Sequence, residues 1–108
     1  MLSKYFDILM KKAPNVTGIF AANDEMAVGI IVAALGNGKK VPQDLNVVGF
    51  DDSPFARAMW PTITSLAQPV DEMAHLSTQK LIEWVHAEAL DQSRFEFSTE
   101  IIIRESCP

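Results

Sequence analysis

The sequence predicts an α/β fold with a mostly parallel sheet and flanking helices. Two observations carry that expectation. Short apolar runs alternate along the chain with stretches of helical period, the pattern of strands joined by crossover helices. Two of the runs then stop abruptly at polar pairs: Ala21-Ala22 at Asn23-Asp24, and Gly49-Phe50 at Asp51-Asp52. Polar groups at the carboxyl ends of parallel strands are where open α/β sheets hold ligands. The chain therefore reads as a small-molecule receptor rather than a catalyst.

Each element has its own signal. Leu2, Tyr5, Phe6, Leu9 and Met10 recur at helical spacing, and Pro14 ends the run. Thr17 to Ala22 reads as a short buried strand. Asn23 or Asp24 caps the next helix, because a short side-chain oxygen accepts an orphan backbone N–H there. That helix runs to about Leu35 and stops at Gly36-Asn37-Gly38, where glycine relieves a left-handed backbone. Asn46 to Phe50 is the second strand. Ser53-Pro54 starts a short helix, with serine as cap and proline in the first turn. Trp60 precedes Pro61 and is pushed toward extended geometry. Ile63 to Ala67 is a third, weaker strand. Pro69 opens a long helix with Val70, Met73, Ser77, Leu81, Trp84 and Val85 on one stripe. Ser93 to Glu96 is a turn or loop. Thr99 to Arg104 is a last strand, and the run Ile101-Ile102-Ile103 is expected to be buried in the sheet. There is no internal repeat and no low-complexity segment.

Composition excludes several classes. The 108 residues make one domain at most, with a small but real core. Apolar residues are 48% of the chain, which argues against disorder. Nine basic residues face fourteen acidic ones, for a net charge of −5. A grip on a phosphate backbone needs clustered Lys and Arg. The longest basic runs here are the pairs Lys11-Lys12 and Lys39-Lys40. No apolar run approaches membrane-spanning length, so no membrane partner is expected. Met1 begins an amphipathic segment rather than a secretion signal. Cys107 is the sole cysteine, which fits a reducing, cytoplasmic compartment.

One helix does not suit a lone small domain. Met26 to Leu35 carries no charged residue. Met26, Ala27, Ile30, Ile31 and Ala34 would face the sheet, with Val28, Val32 and Leu35 nearer the opposite side. A helix apolar all round must be covered twice. The second cover is expected to be another subunit, in a homodimer. The alternative is neighbouring helices of the same chain.

Four motifs run along the chain: Thr17-Gly18-Ile19-Phe20-Ala21-Ala22-Asn23-Asp24, then Val41-Pro42-Gln43-Asp44-Leu45 leading into Val48-Gly49-Phe50-Asp51-Asp52, then Pro61-Thr62-Ile63-Thr64 with Gln68-Pro69, and finally Ile103-Arg104-Glu105-Ser106. Each alone is weak; their order and spacing together are specific. With them the chain resembles the C-terminal half of the LacI/GalR family of bacterial transcriptional regulators. The resemblance implies a two-lobed, periplasmic-binding-protein-like (type I) core that binds an effector between its lobes. Operator DNA would be bound only through a separate helix-turn-helix domain. Residues 1–108 would then be a C-terminal fragment of the effector-binding and dimerisation domain, with the helix-turn-helix and first lobe absent. The helix after Pro69 would cross to that first lobe. Without it, the stripe finds another partner, as in an intertwined dimer, or stays exposed.

The resemblance also implies site residues. Asn23 and Asp51 match the positions that reach the effector from two strand ends. A sugar presents paired hydroxyls; a carboxylate accepts two hydrogen bonds, and an amide both donates and accepts. The plainer reading is that Asn23 caps its helix and Asp51 caps a turn. Gln68, after the third strand, is a weaker effector candidate that otherwise marks the crossover. Asp24 and Asp52 are their neighbours on extended chain and point the other way, so they read as caps or salt-bridge partners. Phe55, Met59 and Trp60 form either a subunit contact or local core. With Val28, Val32 and Leu35 they make the expected dimer surface.

No catalytic residue, cofactor or metal is expected. His75 and His86 stand eleven positions apart on one helix, about three turns, too far for one metal. Cys107 has no histidine near it in sequence. A phosphoryl-transfer receiver would want its acidic pair at the first strand end and a late lysine. A glycosidase would want two carboxyl groups about 5–10 Å apart across a sugar. The alternative function is the C-terminal lobe of a periplasmic sugar-binding transport protein. Val41-Pro42-Gln43-Asp44, the Thr-Ile-Thr and Gln-Pro pair, and the closing Arg-Glu-Ser fit the regulators better.

Overall fold

The structure is a computed structural model that describes residues 2–86 and 94–108. In chain order come α1 (Leu2–Lys12), β1 (Gly18–Phe20), α2 (Asp24–Gly36), β2 (Asn46–Phe50), α3 (Pro54–Ala58), β3 (Thr64–Ala67), α4 (Val70–Val85) and β4 (Glu100–Ile102). The strands form one sheet in the order β1-β2-β3-β4. β1 pairs parallel to β2, and β2 parallel to β3, whereas β4 runs antiparallel to β3. This is the mostly parallel sheet that the sequence predicts. The chain divides into two compact units: Met1–Ala67 with Glu100–Pro108, and Gln68–Thr99.

The first unit holds the core. α2 lies between α1 and β2. Its buried stripe is Asp24, Ala27, Ile31 and Ala34, at helical spacing, with Ala33 beside it. Phe6 of α1, Val47 of β2, Leu45, Ala56 and Ile63 complete the cluster. Gly38 has φ +77° and supplies the left-handed residue that stops α2, while Asn37 donates from Nδ2 to the Ala33 carbonyl at 2.8 Å. Strand pleating and register put Phe20, Val48, Phe50, Leu66 and Ile101 on the face away from α2. Phe20 and Phe50 meet edge to face there, with ring centroids 6.4 Å apart.

The second unit contains α4. Asp71 and Glu72 occupy its first turn, where the helix dipole favours negative charge. Lys80 and Glu83 pair one turn apart. None of its residues is buried, and Val70, Leu81, Trp84 and Val85 of the expected stripe are exposed.

The structure corrects several expectations. Met26 is exposed rather than turned to the sheet, because the buried stripe starts at Asp24, not Met26. The Ile101–Ile103 run is not buried: Ile101 is 56% and Ile103 65% exposed. β4 is a three-residue edge strand, so it has one ladder partner and an open face. β1 is shorter than Thr17 to Ala22, and Ile63 precedes β3 rather than opening it. Ser53 stands at the N-cap of α3 but makes no side-chain cap bond. Of the expected 93–96 turn, Ser93 lies outside the described residues, as does Met1.

Ile31 is fully buried at the centre of this core. Ile31→Ala should lower the stability of the chain by about 2–5 kcal/mol, read as a fall in the urea midpoint with an unchanged slope.

Candidate functional site

The carboxyl ends of β1 and β2 lie side by side, because the two strands are neighbours and parallel. Asn23 and Asp24 follow the first strand, and Asp51 and Asp52 follow the second. In each pair one residue builds the scaffold. Asp24 opens α2 and is fully buried. Its Oδ1 accepts from the Ser65 hydroxyl at 2.7 Å, and its Oδ2 accepts from the Ser53 backbone N–H at 2.6 Å. Gly49 on β2 makes room for it: a Cβ there would lie 2.2 Å from Asp24 Oδ1. A buried carboxyl is tolerated only when it is bonded in this way.

Asp52 is the scaffold member of the second pair. Its two oxygens accept from different arginines, Arg104 Nη2 on Oδ1 and Arg57 Nη2 on Oδ2 at 2.6 Å. Its backbone N–H donates to the Ser65 hydroxyl at 3.1 Å. Burial opposes ionisation of Asp52, but the hydrogen bonds and charges of Arg104 and Arg57 outweigh it and hold the carboxyl below the usual range. Arg104 also donates to the Ile63 carbonyl at 2.8 Å. Asp52 is thus the salt-bridge partner expected of it, whereas Asp24 is a buried anchor rather than a helix cap or salt-bridge partner.

The remaining members face outward. Asn23 is half-buried and its Oδ1 accepts from the Met26 N–H at 2.8 Å, capping α2. That cap uses the amide oxygen and leaves the NH2 group to donate elsewhere. Asp51 is exposed, with φ +97°, and Asp52 follows at φ +51°. Left-handed backbone costs a residue with a side chain about 1 kcal/mol or more, and aspartate tolerates it better than most. The Asp51 N–H donates to the Leu66 carbonyl at 2.8 Å, so the turn is tied to β3. Gln68 belongs to the second unit, directly after β3; it is half-buried and its carbonyl accepts from Val70 N–H.

The closing Arg-Glu-Ser motif has a role that sequence reading did not assign. The Ser106 hydroxyl donates to the Val47 carbonyl and accepts from Thr64 N–H. Thr64 Oγ1 accepts from the Arg104 N–H at 2.7 Å. Glu105 takes both the N–H and the hydroxyl of Thr62, which hold its carboxyl below the usual range, the N–H most. The three residues thus clasp the start of β3. A partial signal was available: polar residues alternate through Thr62-Ile63-Thr64, and Arg104-Glu105-Ser106 is polar throughout.

Of the expected dimer residues, Val28 and Met59 lean on the core. Val32, Leu35, Phe55 and Trp60 are exposed, Trp60 at 76%. Among the described residues no cluster of His, Cys, Asp or Glu could hold a metal ion, and no helix is long and apolar enough to cross a membrane.

Comparison with known proteins agrees with this fold. A family model described as a periplasmic binding protein-like domain matches residues 3–107. The ribose operon repressor of Halalkalibacterium halodurans is 37% identical over 98 residues, which cover 91% of this chain and 30% of the repressor. A solved complex of the transcriptional regulator CelR with cellobiose superposes with a TM-score of 0.90 at 31% identity, covering 97% of this chain and 32% of that one. A LacI family regulator from Arthrobacter sp. FB24 with lactose gives 0.85 at 25% identity, covering 99% and 40%. The chain thus spans about a third of the length of the proteins it matches.

Two outcomes follow for the scaffold. Gly49→Ala forces a methyl against the buried Asp24 carboxyl and should cost about 1–3 kcal/mol in a urea melt. Asp52 ionises more readily folded than unfolded, so its contribution is complete above the ordinary aspartate value of 3.8 and disappears as pH falls through the lower folded value. Glu105 has the same sign. The urea midpoint should therefore drop below pH 3.8, and drop less in Asp52→Asn, which lacks that titration.

Proposed function

The chain belongs to the periplasmic binding protein-like family, and from that membership we propose that it is the effector-sensing and dimerising part of a LacI/GalR-type transcriptional regulator. The carrying observation is the paired strand ends: at each, one acidic residue is spent on the scaffold while Asn23 or Asp51 is left at the surface. The proposed effector is a sugar. Asp51 accepts its hydroxyls, the Asn23 amide donates to it, and Gln68 is a secondary contact on the strength of its place after β3. Relatives solved with cellobiose and lactose support a sugar. Their descriptions as regulators support this reading over a transport receptor. Effector binding selects one arrangement of the sensing domain, and linkage passes that preference to DNA binding elsewhere in the regulator.

The sensing domain carries no catalytic step, cofactor or metal in this reading, and it works in the cytoplasm. Operator DNA is bound by a helix-turn-helix domain outside residues 1–108. A second copy covers Val32 and Leu35 on α2, with Phe55 and Trp60, all of them exposed apolar side chains.

In the intact regulator, Asp51→Ala should weaken sugar binding by about 1–3 kcal/mol in a calorimetric titration, the cost of buried hydroxyls left unpaired. Unchanged affinity would remove the assignment. Residues 1–108 alone should give no salt-dependent, sequence-specific gel shift with operator DNA.

A further inference from the structure

Asp51 and Asp52 both sit at positive φ, yet neither is glycine. Something must hold two such residues in succession. Asp52 is tied at both carboxyl oxygens and at its N–H, and the Asp51 N–H is tied to β3. The two arginines differ. The Arg57 side chain is 67% exposed, and exposed pairs hold little. The Arg104 side chain is 15% exposed and forks between Asp52 Oδ1 and the Ile63 carbonyl. Its own N–H is fixed by Thr64 Oγ1, whose single proton is shared between the Arg104 and Cys107 carbonyls at 3.0 and 2.8 Å. Arg104 is thus the rigid partner, braced on the strand next to the turn it grips. A planar guanidinium can hold two acceptors at once; an ammonium cannot do so in the same geometry.

We propose that Arg104 is a positioning residue for Asp51: by clamping Asp52 to the start of β3 it fixes the left-handed 51–52 backbone and so sets where the Asp51 carboxyl sits. It touches no ligand itself. Its bearing on function rests on the effector reading of Asp51, but the clamp can be tested without any ligand.

The test is amide hydrogen exchange on the 108-residue chain, residue by residue. In Arg104→Met, exchange at the Asp51 N–H should speed up by about tenfold or more, the scale of one lost charge-assisted hydrogen bond. Amides of α2 around Ala27 and Ile31 should keep their wild-type protection. Arg104→Lys keeps the charge but not the fork and should restore only part of the loss. Asp52→Asn keeps the shape of the turn and should reproduce the Arg104→Met pattern; it serves if the methionine variant does not fold. Unchanged Asp51 exchange in the folded variants would overturn the proposal. So would an equal loss across Asp51 and α2, because Arg104 would then be a general stabiliser. A cellobiose titration of the intact regulator separates the two readings. Fast Asp51 exchange in the variants, with no loss of cellobiose affinity on Asp51→Ala, refutes the effector role and leaves the clamp standing. Unchanged exchange refutes the clamp whatever the sugar does.

Discussion

The buried carboxyl of Asp24 is the constraint on which the first unit depends. It is a polar group with no access to water, so each of its bonds must be made by the protein. Meeting that requirement brings together four pieces of chain: the first turn of α2, Gly49 of β2, Ser65 of β3 and the Ser53 N–H that leads into α3. Its place in the first turn of a helix is electrostatically favourable. Low local dielectric makes such a network strong when complete and costly when broken. The strand ends are therefore not merely adjacent; they are locked to one another beneath the surface that Asn23 and Asp51 occupy.

A division of labour follows. In Asn23-Asp24 and in Asp51-Asp52, the second residue turns inward to anchor the backbone and the first is left outward. At the first strand end the extended Asn23 gives way to the helix that Asp24 opens, and at the second the left-handed turn at Asp51-Asp52 separates the two side chains. Ser65 serves both anchors, donating to Asp24 and accepting from the Asp52 N–H. One hydroxyl thus couples the two strand ends.

Much of this was legible in the sequence. Asn46–Phe50 was placed to the residue, and α2 nearly so, because a charge-free helical run ends in a Gly-Asn-Gly stop. Asp52 is the salt-bridge partner expected of it, although the extended-chain alternation behind that expectation does not apply: Asp24 opens a helix and Asp51-Asp52 are left-handed. Other features were hidden for physical reasons. Burial of the Ile101–Ile103 run depends on which strands flank it, and an apolar run does not say that it will be an edge. Met26 sits in the helical pattern as well as Ala27 does, but a buried aspartate two positions earlier rotates the stripe away from it. The clasp of Arg104, Glu105 and Ser106 on Thr62 and Thr64 joins residues some forty positions apart, a separation at which local pattern is silent.

The most direct test of this account is a double-mutant cycle on Asp24→Ala and Ser65→Ala, measured by urea denaturation of the 108-residue chain. If the buried carboxyl and the shared hydroxyl act as one network, each single change costs about 1–3 kcal/mol. The double variant then falls short of their sum by about 0.5 kcal/mol or more. Losses that add to within about 0.3 kcal/mol would show two independent sites, and the strand ends would have to be held together by something else.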